Sequence, residues 1–438
     1  MKSTIAAIAT PPGRGGIGII RISGPRALAL ASEITELQGE WRPRFAHFAK
    51  WHDEQGHTID AGLVLFFPAP RSFTGEDVIE LHGHGNPLIQ QVLIDRLIEL
   101  GASAAAPGEF CRRAVENGKM DLSQAEAVAA TVEAATLRAS HQAQRHLSGE
   151  FGQAVDALMN SLTSMLAHVE ACIDFPDEDI PSLLFDDMCK QANEMLNRID
   201  VLLATADFGE RLFSGANVAI VGAPNVGKSS LLNTLSGRSR AIVSETAGTT
   251  RDTLEVDFDI HGVPMRLVDT AGLRASSDVV EQEGIRRAEQ AAGIADLVLF
   301  VADATRSDTW SEPGKRANTI RVMNKVDIAD PSDIPAGFLP VSAKTGAGFE
   351  QLNASLAKRL GELDAFEETL MITSSRHREA MSEARRHLEH GASLLHQAHL
   401  ELVAAEWRLA WRAMGGILGL GDVEEILDRI FSEFCIGK

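Results

Sequence analysis

A glycine-rich loop carries the clearest chemistry in the sequence. The apolar run Val218 to Val221 precedes Gly222-Ala-Pro-Asn-Val-Gly-Lys-Ser229, and a helical pattern begins directly after it. A strand, a glycine loop and a helix in that order form a P-loop, whose backbone amides face phosphate oxygens. Lys228 adds positive charge at the β and γ phosphates, and the Ser229 hydroxyl is suited to bind Mg²⁺. The pattern predicts nucleotide binding, with a chance glycine turn as the alternative.

Three further motifs follow at the ends of predicted strands. Asp269-Thr-Ala-Gly272 would place a carboxylate near the magnesium shell and an amide near the γ phosphate. Asn324-Lys-Val-Asp327 supplies an aspartate that can pair with the ring N–H and amino group of guanine, and Ser342-Ala-Lys344 resembles the accompanying base-binding loop. Each motif alone could be ordinary strand-to-helix punctuation, but the four in this order predict a GTP-binding domain. The predicted GTP-binding residues are Asn225, Val226, Gly227, Lys228, Ser229, Ser230, Ser244, Glu245, Thr246, Ala247, Gly248, Thr249, Thr250, Asp269, Thr270, Ala271, Gly272, Asn324, Lys325, Asp327, Ser342, Ala343 and Lys344.

The catalytic group of this domain is not in its usual place. Leu273 stands directly after the second motif, where Ras-like enzymes have a water-orienting glutamine, and leucine cannot orient water. Glu281 is the candidate for that role, and a solvated glutamate at a helix start is the alternative. The segment Gly248-Thr-Thr-Arg-Asp252 lies where translation-factor GTPases, which this domain resembles, have their first switch loop. Thr250 is therefore the expected second magnesium ligand beside Ser229.

Asn225 suggests a second cation. Its side-chain carbonyl lies inside the P-loop, where another GTPase would rely on an arginine finger. Potassium could replace that finger, with backbone carbonyls around Ser244, Thr246 and Thr249 as its other ligands.

The elements that must position these groups follow from the hydrophobic pattern. From about 214 to 362, apolar runs alternate with amphipathic stretches, which predicts a parallel α/β sheet. The sequence is strongly helical from 121 to about 209 and again after 363, so the α/β unit is predicted to be inserted into a helical domain. Residues 1 to about 115 mix β-like runs with a helical segment from Pro87 to Leu100, which is typical of an α+β domain.

Composition limits the possible functions. At about 150 residues per domain, 438 residues allow about three domains. The net charge of −20 opposes broad docking onto nucleic-acid phosphates, so any RNA must be held by a local patch or a partner. The four cysteines are far apart, which favours a reducing cytoplasm over a disulfide framework or a zinc site. Because no apolar run approaches the roughly 18 residues of a membrane span, we expect no membrane association.

Two patterns resemble binding motifs, one for a dinucleotide and one for a metal, but neither is expected to bind its ligand. Gly13-Arg-Gly-Gly-Ile-Gly18 matches the Rossmann fingerprint, but the residues after it are strand-like where a phosphate-binding helix should begin. His82 and His84 share a strand face without an evident third metal ligand, so a hydrogen-bonding role is favoured over metal binding.

The whole pattern resembles the MnmE (TrmE) family of tRNA modification GTPases. The resemblance runs from Thr10 to Lys438 and rests on TPPGRGGIGIIRISG, SFTGEDVIELHGHG, AVENGKMDLSQAEA, the GTPase motifs above and the terminal CIGK. It implies a multidomain α+β fold with three parts. These are an N-terminal α/β folate-binding-like and dimerisation domain over 1–117, a discontinuous all-helical domain over 118–213 and 363–438, and an inserted P-loop α/β GTPase domain over 214–362.

Site residues outside the GTPase motifs come only from this resemblance. It places Arg21, Glu80, Lys119 and Lys438 at a pocket for a reduced folate, either 5,10-methylenetetrahydrofolate or a related one-carbon form. Arg or Lys could hold the folate carboxylates, and Glu80 could accept hydrogen bonds from the pterin. Cys435 is a possible reactive thiol in the same family position, and a packing thiol is the alternative.

The resemblance also implies the reaction. With a flavin-dependent MnmG (GidA)-type partner that carries FAD, the protein would add an aminomethyl or carboxymethylaminomethyl group to carbon 5 of the wobble uridine in certain tRNAs. GTP hydrolysis would require Mg²⁺ and be stimulated by K⁺. The protein would be a homodimer that forms a heterotetramer or larger complex with the partner, which would hold most of the tRNA. Two alternatives remain, a ribosome or RNA assembly GTPase that times release, and a signalling switch that needs external activators.

Overall fold

The computed structural model forms two compact units. It describes residues 3–35, 37, 41–175, 182–238, 255–260, 262–269, 293, 295–311, 318–329, 334–360, 369–395, 399–421, 424–432, 434 and 436–437. The first unit comprises Met1–Ala129, Leu147–Val155 and Gly415–Lys438, and the second comprises Ala130–His146 and Asp156–Met414.

The first unit contains a mixed sheet. Its described strands are β1 (Ile5–Ile8), β2 (Gly15–Ser23), β3 (His47–His52), β4 (Thr58–Phe67), β5 (Val78–Gly85) and β6 (Ser103–Ala104). Their order is β3-β4-β5-β2-β1-β6, and only the β1–β6 pair is parallel. The β-like runs predicted within residues 1 to about 115 are confirmed as strands, among them β2, β4 and β5. Because neighbouring strands are mostly antiparallel, this part is α+β and not the alternating parallel arrangement that an α/β description implies.

Two helices, α1 (Ala27–Ile34) and α2 (Pro87–Glu99), pack against this sheet and bury its apolar side. Local residues define where α2 begins. The Asn86 side chain accepts a hydrogen bond from the Leu88 amide, and proline occupies the first helical position. Most of the Rossmann-like motif lies inside β2, which begins at Gly15, so the prediction that it does not open a phosphate-binding helix is confirmed.

Helices follow in the chain, as predicted. They are α3 (Glu109–Glu116), α4 (Leu122–Glu133), α5 (Leu137–Leu147), α6 (Glu150–Asp174), α7 (Ser182–Ala204) and α8 (Ala206–Ser214). A capping box begins α4: the Gln124 amide donates to the Asp121 carboxylate at 2.8 Å, and the Asp121 amide donates to the Gln124 side chain at 3.0 Å.

A second sheet follows, in the order β12-β11-β10-β7-β9-β8. Its described strands are β7 (Ala216–Val221), β8 (Glu255–Ile260), β9 (Val263–Asp269), β10 (Leu297–Asp303), β11 (Thr319–Asn324) and β12 (Phe338–Pro340). Parallel pairing holds from β12 to β9, as predicted, but β8 is antiparallel to β9. Only two residues join β8 to β9, which is long enough for a hairpin and too short for a parallel crossover.

Helices α9 (Lys228–Arg238) and α10 (Phe349–Leu360) contribute to the core of this sheet through Leu231, Leu235, Leu352 and Leu356. The remaining described helices are α11 (Ser375–Leu395), α12 (Leu400–Leu418) and α13 (Glu424–Ser432). Within the described ranges, no helix is both long enough and apolar enough to cross a bilayer. Cys111 and Cys172 are buried and Cys189 is half-buried, and these three cysteines form no disulfide within the described part of the chain, whereas Cys435 lies outside it.

Candidate functional site

The loop between β7 and α9 depends on its two glycines. A Cβ on Gly222 would lie 2.1 Å from the carbonyl oxygen of Val301, and a Cβ on Gly227 would lie 2.3 Å from Nδ2 of Asn324. Both glycines also have positive φ, 152° and 96°. A side chain at either position would therefore both strain the backbone and collide with a neighbouring strand end.

Lys228 and Ser229 open α9 next to this loop. The Lys228 ammonium donates to the carbonyl oxygens of Gly222 at 2.7 Å and Ala223 at 2.9 Å, so it lies within the turn of the loop. Ser229 is exposed in the first turn of α9. A helix N-terminus with its backbone amides, an ammonium and an exposed hydroxyl can hold a phosphate chain and one of its metal ligands.

The predicted guanine-binding residues lie at the same edge of the sheet. The Asn324 side chain donates to the carbonyl oxygen of Val226 at 2.9 Å and accepts from the Ala343 amide at 3.0 Å. The Ser342 hydroxyl donates to the Asp327 carboxylate at 2.7 Å. The structure thus brings the P-loop together with two motifs that come much later in the chain, as the separation of 98 residues between Val226 and Asn324 illustrates.

Arg21 and Glu80 form an ion pair on β2 and β5, in which two guanidinium nitrogens share one carboxylate oxygen. They are directly opposite in the β2–β5 register, and Nε and NH2 of Arg21 lie 3.0 and 2.9 Å from Oε1 of Glu80. The other carboxylate oxygen of Glu80 is 3.1 Å from Nε2 of His82. The Arg21 guanidinium also lies over the rings of Phe73 and Phe110, 5.4 and 5.7 Å from their centroids.

The C-terminal segment reaches this pair. NH1 of Arg21 donates to the carbonyl oxygen of Gly437 at 3.4 Å. Gly437 has a φ of 98°, and a Cβ there would lie 2.2 Å from the carbonyl oxygen of Ile8. The tail can therefore lie against β1 only because this residue is glycine.

Lys119 is connected to the pair through the segment Phe73 to Gly75. A Cβ on Gly75 would lie 3.2 and 3.3 Å from Cγ and Cδ of Lys119, so the lysine stem runs along this glycine. Phe73 in turn lies under the Arg21 guanidinium. Glu80, Arg21, Lys119 and the residue before Lys438 thus share one region of the first unit.

Comparisons with known proteins identify the family of this chain. Residues 4–119 match a family described as GTP-binding protein TrmE N-terminus, and residues 122–435 match the MnmE helical domain. Proteins named tRNA modification GTPase MnmE are 43% identical in Stutzerimonas stutzeri strain A1501, with 100% of this chain and 99% of that protein covered, and 45% identical in Parvibaculum lavamentivorans strain DS-1, with 99% and 100% covered. The chain belongs to the MnmE family. It is a GTPase of tRNA modification.

Part of the nucleotide site predicted for this MnmE-family chain lies outside the described residues. This part contains the expected switch, the second magnesium ligand, the backbone ligands of potassium and the candidate catalytic group: Ser244, Glu245, Thr246, Ala247, Gly248, Thr249, Thr250, Thr270, Ala271, Gly272 and Glu281. Lys438 and Cys435 of the folate prediction are outside them as well. Asp269 is described as the last residue of β9, paired in register with Ile220 of the P-loop strand.

The two histidines of the MnmE-family N-terminal region have separate carboxylate partners. His82 contacts Glu80, and Nδ1 of His84 is 2.7 Å from Oδ1 of Asp60. Burial would raise the pKa of the Asp60 carboxyl, but hydrogen bonds from the amide and ring of His84 and the amide of Ala61 lower it overall. The predicted hydrogen-bonding role of this pair is confirmed.

Sequence reasoning missed several groups at these sites. Phe73 lay inside a quoted motif without a role, and Phe110 carried no signal because its contact with Arg21 depends on the fold. Asp303 was also missed, although its position was a usable signal: an aspartate is unusual at the end of a seven-residue, fully buried strand such as β10.

A surface cavity of about 660 Å³ lies elsewhere in the first unit. Its polar walls include Arg112, which pairs with Asp428 and Glu116, and Arg113, which pairs with Glu76 and Glu109. Among the residues that the structure describes, no predicted site residue lines this cavity.

Proposed function

We propose that this MnmE-family chain binds and hydrolyses GTP and takes part in a folate-dependent modification of tRNA. With a flavin-dependent MnmG (GidA)-type partner that carries FAD, it would add an aminomethyl or carboxymethylaminomethyl group to carbon 5 of the wobble uridine. The observation that carries this proposal is the Arg21–Glu80 pair, which contacts aromatic rings and the C-terminal tail. The same chain has a P-loop that is hydrogen-bonded to the predicted guanine-binding motif.

In the proposed nucleotide site, each described group has a defined task. The amides that open α9 and the Lys228 ammonium bind phosphates, and Asp327 binds the guanine edge. Ser229, with Thr250, holds Mg²⁺, and the Asn225 carbonyl, with backbone oxygens of Ser244, Thr246 and Thr249, holds K⁺. Glu281 orients the attacking water. The exposed position of Ser229 and the ammonium inside the loop support the phosphate and magnesium parts of this assignment.

In the proposed folate site, the donor set suits a reduced pterin with a glutamate tail. Glu80 accepts hydrogen bonds from pterin N–H groups, and the cations of Arg21, Lys119 and Lys438 hold carboxylates. The rings of Phe73 and Phe110 offer apolar surface beside them. A bound reduced folate supplies the one-carbon unit, and the residues of this chain bind and orient it. Cys435 is proposed as a thiol near this pocket.

The partners follow from the same proposal. The chain forms a homodimer through its N-terminal region and a heterotetramer or larger complex with the flavin-dependent partner, which holds most of the tRNA. A ribosome or RNA assembly GTPase is the second candidate, but it has no need for the arginine, glutamate and tail arrangement of the first unit.

Calorimetric titration with a stable reduced-folate analogue tests the proposal. The matched variants are Gly437→Ala and Gly421→Ala, because both glycines have a φ near 100° but only Gly437 would collide with a neighbour. We expect saturable binding by the unaltered protein, retained in Gly421→Ala and weakened at least about tenfold in Gly437→Ala, since tail displacement removes several charged contacts.

GTP turnover, measured on the same samples, separates the candidate functions. All three proteins should hydrolyse GTP at similar rates because neither glycine lies in the nucleotide site. Hydrolysis without any folate binding by the unaltered protein would favour the assembly GTPase. Equal folate affinity in the two variants would show that the C-terminal tail does not contribute to the folate pocket.

A further inference from the structure

The carboxyl end of β10 carries a buried acid between the two nucleotide-binding strands. Asp303 is the last residue of β10, and its side chain is 2% exposed. In the sheet, β10 lies between β7, which leads into the P-loop, and β11, which leads into the guanine motif. Asp303 pairs in register with Asn324 of β11. This acid therefore lies where the two loops approach one another.

Lys325 connects that acid to the P-loop. Its ammonium lies 2.5 Å from Oδ2 of Asp303 and donates to the carbonyl oxygen of Asn225 at 2.8 Å. Lys325 and Asn225 both have left-handed backbones, with φ of 66° and 63°. Non-glycine residues hold that conformation only where surrounding contacts enforce it, and here each of the two residues is tied to the other by this one ammonium.

Asp303 is itself held rigidly. Its second carboxylate oxygen accepts from the amide and hydroxyl of Thr305, at 2.9 and 2.7 Å. Its amide donates to the Thr309 hydroxyl at 3.0 Å, and its carbonyl oxygen accepts from the Trp310 indole at 2.8 Å. Burial alone would raise the pKa of the carboxyl, but the Lys325 and Thr305 hydrogen bonds lower it, so the acid is ionised at neutral pH.

We propose that Asp303 is a positioning residue for guanine-nucleotide binding, which acts by holding the Lys325 ammonium as a bridge between the guanine motif and the P-loop. The inference rests on the nucleotide site proposed above. With Lys325 held, the two loops keep their mutual position before nucleotide enters, and binding does not have to order them. Without the Asp303 carboxylate, Lys325 loses its charged partner. Its side chain can then adopt many conformations, and it donates to Asn225 in only some of them.

A double-mutant cycle on GDP affinity tests this role. The variants are Asp303→Asn, Lys325→Met and the double variant, titrated with a fluorescent GDP in the full-length protein. We expect each single variant to weaken GDP binding about tenfold to a hundredfold, the range for losing a charged hydrogen bond. The double variant should bind no more weakly than Lys325→Met, because Asp303 acts only through Lys325. Losses that multiply would show an independent, structural role for Asp303 and overturn the proposal.

Control variants sharpen the cycle. Asp308→Asn removes an exposed aspartate of the same segment, which pairs only on the surface with Arg306, and should leave GDP affinity unchanged. Asp303→Glu keeps the charge and should recover affinity to within about threefold of the unaltered protein. A loss in Asp303→Glu as large as that in Lys325→Met would contradict the proposal.

A measurement on the unaltered protein covers the case in which Asp303→Asn does not fold. Acetylation of nucleotide-free protein by a succinimidyl ester, followed by mass spectrometry, reports how accessible each lysine ammonium is to the reagent. We expect Lys325 to react at least about tenfold more slowly than the exposed Lys358, because its ammonium is held by the Asp303 carboxylate and the Asn225 carbonyl oxygen. Equal rates would mean that Asp303 does not hold Lys325.

The outcomes also separate this inference from the proposed site. If Lys325→Met leaves GDP affinity unchanged, the assignment of the nucleotide site itself fails. If Lys325→Met weakens GDP binding and Asp303→Asn does not, the site stands and only the role of Asp303 is wrong.

Discussion

At the scale of single residues, Arg113 shows how a buried charge is compensated. Its side chain is 7% exposed and contacts two carboxylates, Glu76 at 3.1 Å and Glu109 at 2.7 Å, while NH1 also donates to the carbonyl oxygen of Ser3 at 2.7 Å. The next residue, Arg112, pairs with Glu116 and Asp428 but is 34% exposed. Two adjacent arginines of α3 thus have similar partners and different solvent access.

This difference predicts unequal effects of the same substitution. Arg113→Met should lower the free energy of unfolding of the first unit by about 3 kcal/mol, because it leaves two partly buried carboxylates without their cation. Arg112→Met should cost about 1 kcal/mol or less, since water screens exposed pairs. Hydrogen exchange of β1 and α3 amides measures both changes. Equal losses would mean that burial of Arg113 does not decide its contribution.

At the scale of elements, α11 and α12 pack closely because one helix carries a glycine at the contact. A Cβ on Gly391 of α11 would lie 2.5 Å from Cδ1 and Nε1 of Trp407 on α12. Trp407 is fully buried, and its indole donates to the carbonyl oxygen of Leu388 at 3.3 Å. Glycine lowers the helix propensity at this position, but it allows the indole of Trp407 to approach the backbone of α11 closely.

Gly391→Ala should therefore destabilise the second unit by about 1–3 kcal/mol, the usual cost of forcing a methyl group into a packed contact. Gly237→Ala in α9 of the same unit is the control, because no described residue outside its own helix lies within 4 Å of its Cβ position and alanine favours the helix by about 0.5–1 kcal/mol. Urea unfolding followed by tryptophan fluorescence gives both values. A stabilising Gly391→Ala would show that α11 and α12 can separate to admit the methyl group.

At the scale of the whole molecule, the net negative charge limits how the protein can bind RNA. The chain has 41 lysines and arginines against 61 aspartates and glutamates. A surface with this excess of negative charge repels a phosphate backbone and releases few counterions on contact. The proposal that a partner holds most of the tRNA is in keeping with this charge.

We expect the isolated chain to bind tRNA no more tightly than about 10⁻⁵ M at physiological salt, within the range of non-specific contacts. Adding the purified flavin-dependent partner should produce tighter binding with a steeper dependence on salt. Fluorescence anisotropy of labelled tRNA measures both. Tight, salt-sensitive binding by the chain alone would reveal a local basic surface and shift the tRNA contact to this protein.

Local sequence patterns predicted much of this structure. The β7–loop–α9 unit, the strands β9, β10 and β11 and the helix α2 each depend on neighbouring residues, such as Gly222 with its positive φ or Asn86 at a helix start. The pattern did not predict β8 as an antiparallel edge, because its pairing depends on the length of the β8–β9 turn and not on the apolar period.

By itself, the sequence determined the order of the nucleotide motifs and their attachment to strands, since these are properties of short, contiguous segments. Only the tertiary structure decided that Lys325 bridges Asp303 and Asn225, which lie 22 and 100 residues away, and that Arg21 meets Gly437 across 416 residues. Such contacts depend on sheet order and on close backbone approach at glycines. Neither leaves a periodic signal in the chain, because both arise only when distant segments pack together.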